Sequence, residues 1–231
     1  MNVKVSPETA VRTAWMPSVE AIDFDSVNAR RAQLAVKRII DIVVAGMALL
    51  VLLPILVLCA IAIKMESQGP ALFKQLRWGQ GGRVIKVYKF RSMYTDMGDA
   101  TGVKQTVAGD PRITKLGAVL RKTNLDELPQ LINVLKGDMS LVGPRCHAVG
   151  MKAAGVLYED LVPTYHLRHM MRPGITGLAQ MRGLRGPTDT VAKSRARVVS
   201  DLYYVQNFSL LLDVKVVLGT IKNEVFNSSG F

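Results

Sequence analysis

Cysteine is nearly absent. Cys59 and Cys146 are the only two in 231 residues, one inside an apolar run and one outside it. The fold therefore does not rest on a disulfide framework, and the chain suits a reducing compartment. Histidine is equally sparse: His166 and His169 stand three apart, but no nearby Cys or third His completes a zinc set. A second uninterrupted apolar window of membrane-crossing length is also missing, which excludes polytopic transporters and multispanning enzymes. Acid is in deficit, with 18 Asp and Glu against 30 Lys and Arg and a net charge of +12. Such a balance calls for polyanionic partners: anionic membrane lipid, phosphorylated substrates or nucleic acid. No nucleic acid is expected, because the basic residues are dispersed and no recognition motif is present.

What is present divides into three parts. Residues 1–33 mix charge, Pro, Ser and Asp without helical or strand periodicity, and read as a flexible N-terminal extension rather than a signal peptide. Residues 34–64 hold a membrane helix. Its apolar stretch, 39–63, has one charge, Asp41, and as a straight helix would rise about 37 Å, against a hydrocarbon core of about 30 Å. Pro54 removes one backbone hydrogen bond there and crowds the carbonyl of Leu50, so a kink or break is expected. Arg30, Arg31, Lys37 and Arg38 precede the run, while Lys64, Lys74, Arg77, Arg83, Lys86, Lys89 and Arg91 follow it. A spanning helix carries most of its nearby basic residues on one side, so a hairpin that returns to its own side rivals a proline-kinked span. Residues 65–231 then form one domain resting on the membrane.

In that domain, Gly79, Gly81 and Gly82 make a turn before a strand at Val84–Phe90. Lys86, Lys89 and Arg91, in the strand and just after it, suit phosphates or lipid head groups. Residues 96–109 read as a loop that closes on Asp110, Pro111 and Arg112, and Lys115–Lys122 as a short helix that brings in Arg121. Residues 140–145 read as a short strand entering a tight turn, with Arg145 on a loop. A helix is expected over 155–171, a rigid basic loop over 172–177 that carries Arg172, and a second loop at Arg182, Gly183, Arg185 and Gly186. Two helices follow, from Ala192 and over 208–224. The second has an apolar stripe at Leu210, Leu211, Val214, Val217, Leu218 and Ile221, placed on the membrane surface or, slightly favoured, against the core. The fold class is α+β, mostly helical.

Residues 121–145 are the most informative stretch. Leu125, Leu128, Leu131, Ile132 and Leu135 recur at helical steps, Gly137 stops the helix and Pro129 fixes its start, which puts the N-cap near Leu125 or Asp126. Asp126 and Glu127 then sit at the positive helix end, which favours an ionised Asp126. Helical neighbours point about 100° apart, so the two acids take different tasks. Ordinary helix capping explains the same pair equally well.

Taken in order, these motifs resemble the bacterial sugar transferases, the monotopic polyprenol-phosphate phosphoglycosyl transferases of the exopolysaccharide type. The matching residues are Lys37, Arg38 and Asp41; Gly69-Pro70 with Phe73; Gln75, Arg77 and Gly79; KFRSM at 89–93; DPRIT at 110–114; LDELPQL at 125–131; GDMSLVGPR at 137–145; RPGITGLAQ at 172–180; and Asp201 to Asp213. The resemblance implies a re-entrant membrane helix broken at Pro54, with the catalytic domain on the cytoplasmic side of a bacterial inner membrane. It implies transfer of a sugar 1-phosphate from a UDP-sugar to undecaprenyl phosphate through a covalent aspartyl phosphosugar at Asp126, with release of UMP. Glu127 would bind Mg²⁺, and Arg121 and Arg145 would lie at the phosphate site. Lys89, Arg91, Arg112 and Arg172 are further candidates for the phosphates. A homodimer stays open. Two departures stand out: Leu53 replaces the family's frequent Ser before the helix-breaking proline, and Cys146 replaces the second proline of Pro-Arg-Pro. The rival reading is a non-catalytic basic membrane-surface module that binds anionic lipid or an assembly partner.

Overall fold

The computed structural model describes residues 30–97, 106–107, 109–188 and 190–226. The N-terminal extension as far as residue 29 and most of the 96–109 loop lie outside the described residues. The chain opens with α1, Arg31–Glu66, long and apolar enough to cross a membrane. It runs without interruption through Pro54, so the sharp break expected there is not drawn by the backbone.

The inner face of α1 explains why the helix stays on the domain. Leu34, Lys37, Asp41, Ala45, Leu49, Leu52, Leu56, Ala60 and Ile63 recur at three- and four-residue steps, and the apolar ones join three separate clusters of the domain core. Charges fix both ends. Lys37 pairs with Asp213 at 2.6 Å, and Arg38 donates to the carbonyls of Val134 and Leu135 at 2.6 and 2.9 Å. Asp41, expected as the lone charge in the membrane run, is instead 2% exposed. It accepts from Ser140 Oγ at 2.8 Å and Leu141 N at 3.0 Å. At the other end Arg91 donates to the carbonyls of Ile63, Ser67 and Gln68, and Glu66 accepts from Leu116 N at 2.8 Å. The outer face, with Ile39, Val43, Leu50, Leu53, Leu58 and Ile61, is bare.

Strands β1, Leu72–Trp78, and β2, Val84–Phe90, pair antiparallel with Leu72 opposite Phe90. Helix α2, Lys115–Lys122, starts where expected because Thr114 Oγ1 accepts from Gly117 N at 2.8 Å. The next stretch departs from expectation. Leu125–Glu127 form a 3₁₀ turn, and the α-helix proper, α3, covers only Gln130–Lys136. In an α-helix the carbonyl of Leu125 would accept from residue 129, but Pro129 has no N–H. Leu128 N takes that carbonyl instead at 3.2 Å. The dyad is thus displaced from the helix N-terminus into the preceding turn. Gly137 closes α3 at φ 85°, a left-handed conformation that favours glycine.

Asn133 on α3 completes the free edge of β2. Its Oδ1 accepts from Tyr88 N at 2.9 Å and its Nδ2 donates to Lys86 O at 2.7 Å, as a neighbouring strand would.

Strand β3, Ser140–Val142, is followed by β4, Lys152–Ala153, and β5, Val156–Leu157, then by the short α4, Tyr158–Leu161, and a 3₁₀ helix, Tyr165–Met170. The single helix expected over 155–171 does not form. Val162 is extended ahead of Pro163, as a residue before proline prefers. The expected 172–177 loop contains strand β6, Gly174–Thr176, which pairs parallel with β3. Gly143 and Gly174 let these backbones touch, since a Cβ on Gly174 would strike Gly143 N. Helices α5, Leu178–Met181, α6, Val191–Gln206, and α7, Leu210–Phe226, complete the chain. In α7 the inward residues are Leu210, Leu212 and Val216. Leu211, Val214, Leu218 and Ile221 of the stripe are exposed, so the core placement is corrected: most of the stripe faces outward.

Asn133→Leu keeps the volume but orphans a donor and an acceptor of β2, and should lower stability by about 2–4 kcal/mol. Denaturant unfolding of the detergent-purified chain measures this; a change under about 0.5 kcal/mol, typical of a neutral surface site, would contradict the clamp.

Candidate active site

Three elements converge on the dyad. Strand β2 supplies Lys89 from its end, the 3₁₀ turn supplies Asp126 and Glu127, and the loop after β3 supplies Arg145. Glu127 Oε1 accepts from Lys89 Nζ at 2.6 Å and from Arg145 Nη2 at 2.8 Å. Burial alone would raise the Glu127 carboxyl, yet Arg145 and Lys89 hold it well below the usual carboxylate range. Asp126 differs. It is 7% exposed and makes no side-chain hydrogen bond among the described residues. Burial pushes its carboxyl above the ordinary value against the pull of Lys89, with Glu127 adding to the rise. The expectation that the helix terminus keeps Asp126 ionised is corrected in its cause: the turn lies ahead of α3, and nearby cations rather than the helix dipole offset desolvation.

Arg145 is aimed by its own backbone. Arg168, itself 1% exposed, donates to the Arg145 carbonyl while paired with buried Asp201. Arg77 donates to the Cys146 carbonyl at 2.7 Å and is held by Gln75 Oε1 at 2.6 Å. Two buried or half-buried guanidiniums therefore pin the loop that carries Arg145. Cys146 itself is buried in the core cluster against α1.

A cleft of about 1750 Å³ opens over Asp126 and Glu127. Lys89, Arg121 and Arg145 line it beside the dyad. Arg121 rests on Ser92 Oγ and Thr106 Oγ1, both at 2.9 Å; burial lowers its pKa and Asp126 raises it. Arg91 and Arg112 also line the cleft, but their guanidiniums are engaged elsewhere, Arg91 with the end of α1 and Arg112 with Asp110 at 2.6 Å. Arg172 is not among the cleft's lining residues. The charges that act on it are Arg38, Asp41 and Arg83, not the dyad.

Sequence reasoning passes over several cleft residues. Arg185 comes close enough for Arg145 and Glu127 to act on its charge, whereas in sequence it reads only as part of a basic loop. Arg197 of α6 is buried, lines the cleft, and donates to Gly186 O at 2.5 Å. His147 is buried with Nδ1 at 3.1 Å from Tyr165 Oη, and burial keeps its imidazole neutral. No local pattern around Arg197 or His147 marks them. His166 and His169 belong to the aromatic cluster of Trp78 and Tyr165.

An acid clamped by two cations beside an unbonded, desolvated acid can divide labour: one organises charge, the other is available to attack. The comparisons agree with a phosphate-sugar chemistry. The family model described as bacterial sugar transferase matches residues 32–227. An exopolysaccharide production protein, PSS, of Rhizobium leguminosarum bv. phaseoli is 63% identical over 198 residues, 86% of this chain and 99% of that protein. A UDP-glucose:undecaprenyl-phosphate glucose-1-phosphate transferase of Caulobacter vibrioides is 49% identical, covering 80% of this chain and 68% of the relative. The enzyme of the same name in Escherichia coli is 48% identical over 84% of this chain, which spans only 41% of that longer protein. The chain belongs to the bacterial sugar transferase family.

Proposed function

We propose that the chain transfers a sugar 1-phosphate from a UDP-sugar to undecaprenyl phosphate, as the first step of building an exopolysaccharide or other surface glycan. The observation that carries this is the contrast inside the dyad: Glu127 is saturated on Oε1 by Lys89 and Arg145, while Asp126 is buried and unbonded at the cleft. A carboxylate oxygen of Asp126 attacks the sugar-bearing phosphorus. The bond from that phosphorus to the oxygen bridging the two phosphates breaks, and UMP leaves with that oxygen. A phosphate oxygen of undecaprenyl phosphate then attacks the same phosphorus, the bond to Asp126 breaks, and the carboxylate is restored. A covalent step suits a donor in water and an acceptor in lipid, because the two never have to meet in one complex. Arg121, Arg145 and Lys89 neutralise the phosphate charge that such a transfer must stabilise. The sugar's own C–O bond stays intact. Relatives named for glucose 1-phosphate make UDP-glucose the first donor to test.

Mg²⁺ fits the residues present. No group of three potential metal ligands occurs among the described residues, and a site of one or two carboxylates completed by substrate phosphates is what Mg²⁺ commonly uses. Glu127 would hold it through Oε2, to which no hydrogen bond is made among the described residues. When bound, the ion would neutralise diphosphate charge.

The fastening of α1 supports one membrane arrangement over a span. Its first third is tied to Asp213, α3 and β3, and its last turn to Arg91 and α2. Both ends therefore belong on the domain's side of the membrane, the cytoplasmic face of the inner membrane, with the bare outer face in one leaflet. Both ends then lie on one side of the membrane, as in the hairpin reading, but along a continuous helix rather than one broken at Pro54.

The chain incubated with UDP-glucose, undecaprenyl phosphate and Mg²⁺ should release UMP and form lipid-linked sugar. Asp126→Asn should abolish both while melting no lower than the parent, since it removes a desolvated charge; Glu127→Gln should abolish both and melt lower. Equal melting shifts, or an Asp126→Asn variant that stays active, would contradict the division of roles.

Activity should fall toward acid through the Asp126 pKa, above its ordinary 3.8, because only the carboxylate attacks. Stability linked to Glu127 has the opposite origin. Its folded pKa lies below the ordinary 4.5, so that stabilisation is present above 4.5 and is lost as pH falls through the folded value. Parallel pH profiles of UMP release and of melting should separate: activity declines at higher pH than the Glu127-dependent part of stability, which the Glu127→Gln variant lacks.

With Cys59 and Cys146 replaced by Ser, cysteines introduced by Gln33→Cys and Gln68→Cys should react with an impermeant maleimide from the same face of sealed membrane vesicles. Labelling from opposite faces would establish a span.

A further inference from the structure

The cleft has a second end that the phosphate chemistry leaves unused. Besides its basic residues, its lining includes an apolar set around the β3–β6 pair: Val44 from α1, Val217 from α7, and Leu141 and Ile175 from the strands. Val44 and Val217 are 41% and 37% exposed, so they face both the cleft and the exterior. Each lies on a helix whose outer face is bare and apolar: Val43 and Met47 flank Val44, and Val214, Leu218 and Ile221 surround Val217. Three residues on from Val217 in α7, Thr220 Oγ1 meets Thr176 Oγ1 at 2.8 Å, and both line the same cleft, as does Gln180.

We propose that this apolar end is the binding passage for the prenyl chain of the lipid acceptor, entered from the membrane between α1 at Val44 and α7 at Val217. The proposal rests on the transferase reading given above and adds to it where the acceptor lies. Three observations select this occupant. The passage is continuous with the two bare apolar faces, so a chain can enter it from lipid without crossing water, where exposing apolar surface costs about 25 cal/mol per Å². The same cleft holds Lys89, Arg121 and Arg145 around the dyad, so a ligand that fills both parts must be apolar at one end and anionic at the other. A nucleotide sugar is polar throughout and gains nothing from Val44, Leu141, Ile175 and Val217. The cleft is also larger than the few hundred to about 1,000 Å³ that one small ligand usually occupies, which leaves room for an acceptor end distinct from the donor end.

Two measurements test the passage. The full chain in nanodiscs is irradiated with an undecaprenyl phosphate analogue bearing a photoreactive diazirine on its prenyl chain, and the labelled residues are mapped by mass spectrometry. Labelling is expected around Val44 and Val217, displaced by unlabelled undecaprenyl phosphate and not by phosphatidic acid, which shares the phosphate but not the prenyl chain. Labelling confined to outer-face positions such as Leu50 and Leu58, or displaced equally by phosphatidic acid, would overturn the proposal. In the second measurement Val44→Trp and Val217→Trp fill the passage. Lipid-linked product should fall at least about tenfold, the effect of about 1.4 kcal/mol, while the single-turnover release of UMP without acceptor persists; Leu50→Trp on the outer face should alter neither. Unchanged product, or loss of UMP release together with product, would place the acceptor elsewhere. Absence of UMP release by the unsubstituted chain would instead count against the transferase reading, and the labelling pattern would still decide the passage.

Discussion

The junction at Glu127 Oε1 holds the site together. Lys89 arrives on β2, Arg145 on the loop after β3, and the acid itself on a turn between α2 and α3. Three separate parts of the chain are therefore held at one oxygen. The charges are mostly removed from water, so removing any one partner strands the others. The consequence for Asp126 is indirect: with its neighbour taking the hydrogen bonds of Lys89 and Arg145, Asp126 is left desolvated and without a side-chain hydrogen bond among the described residues. A group in that state destabilises the fold slightly, which is a common mark of residues retained for chemistry rather than for packing.

The same economy of charge governs the membrane helix. The helix of 36 residues packs its apolar inner face on the domain, and Lys37, Arg38 and Asp41 at one end and Arg91 at the other fasten it there. These residues would be costly in lipid. Facing the domain, they are paired, and the helix is left with one wholly apolar face. Basic residues near a membrane run are thus poor guides to topology here: Lys37 and Arg38 are satisfied by Asp213 and by the carbonyls of α3 rather than by head groups.

Local signals are legible in the sequence and long-range ones are not. Lys115–Lys122 can be read to the residue and the strand from Val84 at its start, with its end open between Phe90 and Met93, since a Thr cap and a glycine turn are local. The 3₁₀ turn under the dyad follows from the N–H that Pro129 lacks and the break at Pro163 from the extended backbone before a proline, and both escape a reading guided by apolar spacing, which points to continuous helix. Asp41 reads as a membrane charge because its partners, Ser140 and Leu141, lie about a hundred residues away. Arg91, Arg112 and Arg145 look alike in sequence, yet the first caps a helix, the second is paired with Asp110 and the third meets the dyad. Composition gives the number of arginines, not their partners. Arg172 stands apart for the same reason, and Arg197 enters the cleft with no local pattern to announce it.

The central claim is that Asp126 and not Glu127 carries the phosphosugar. Incubating the unsubstituted chain with UDP-glucose in the absence of lipid, quenching in acid and sequencing its peptides by mass spectrometry tests this most directly. A hexose phosphate on the peptide that contains both acids, with fragment ions placing it on Asp126, is the predicted result. The same mass on Glu127, or a chain that releases UMP with no added mass on either acid, would contradict the account.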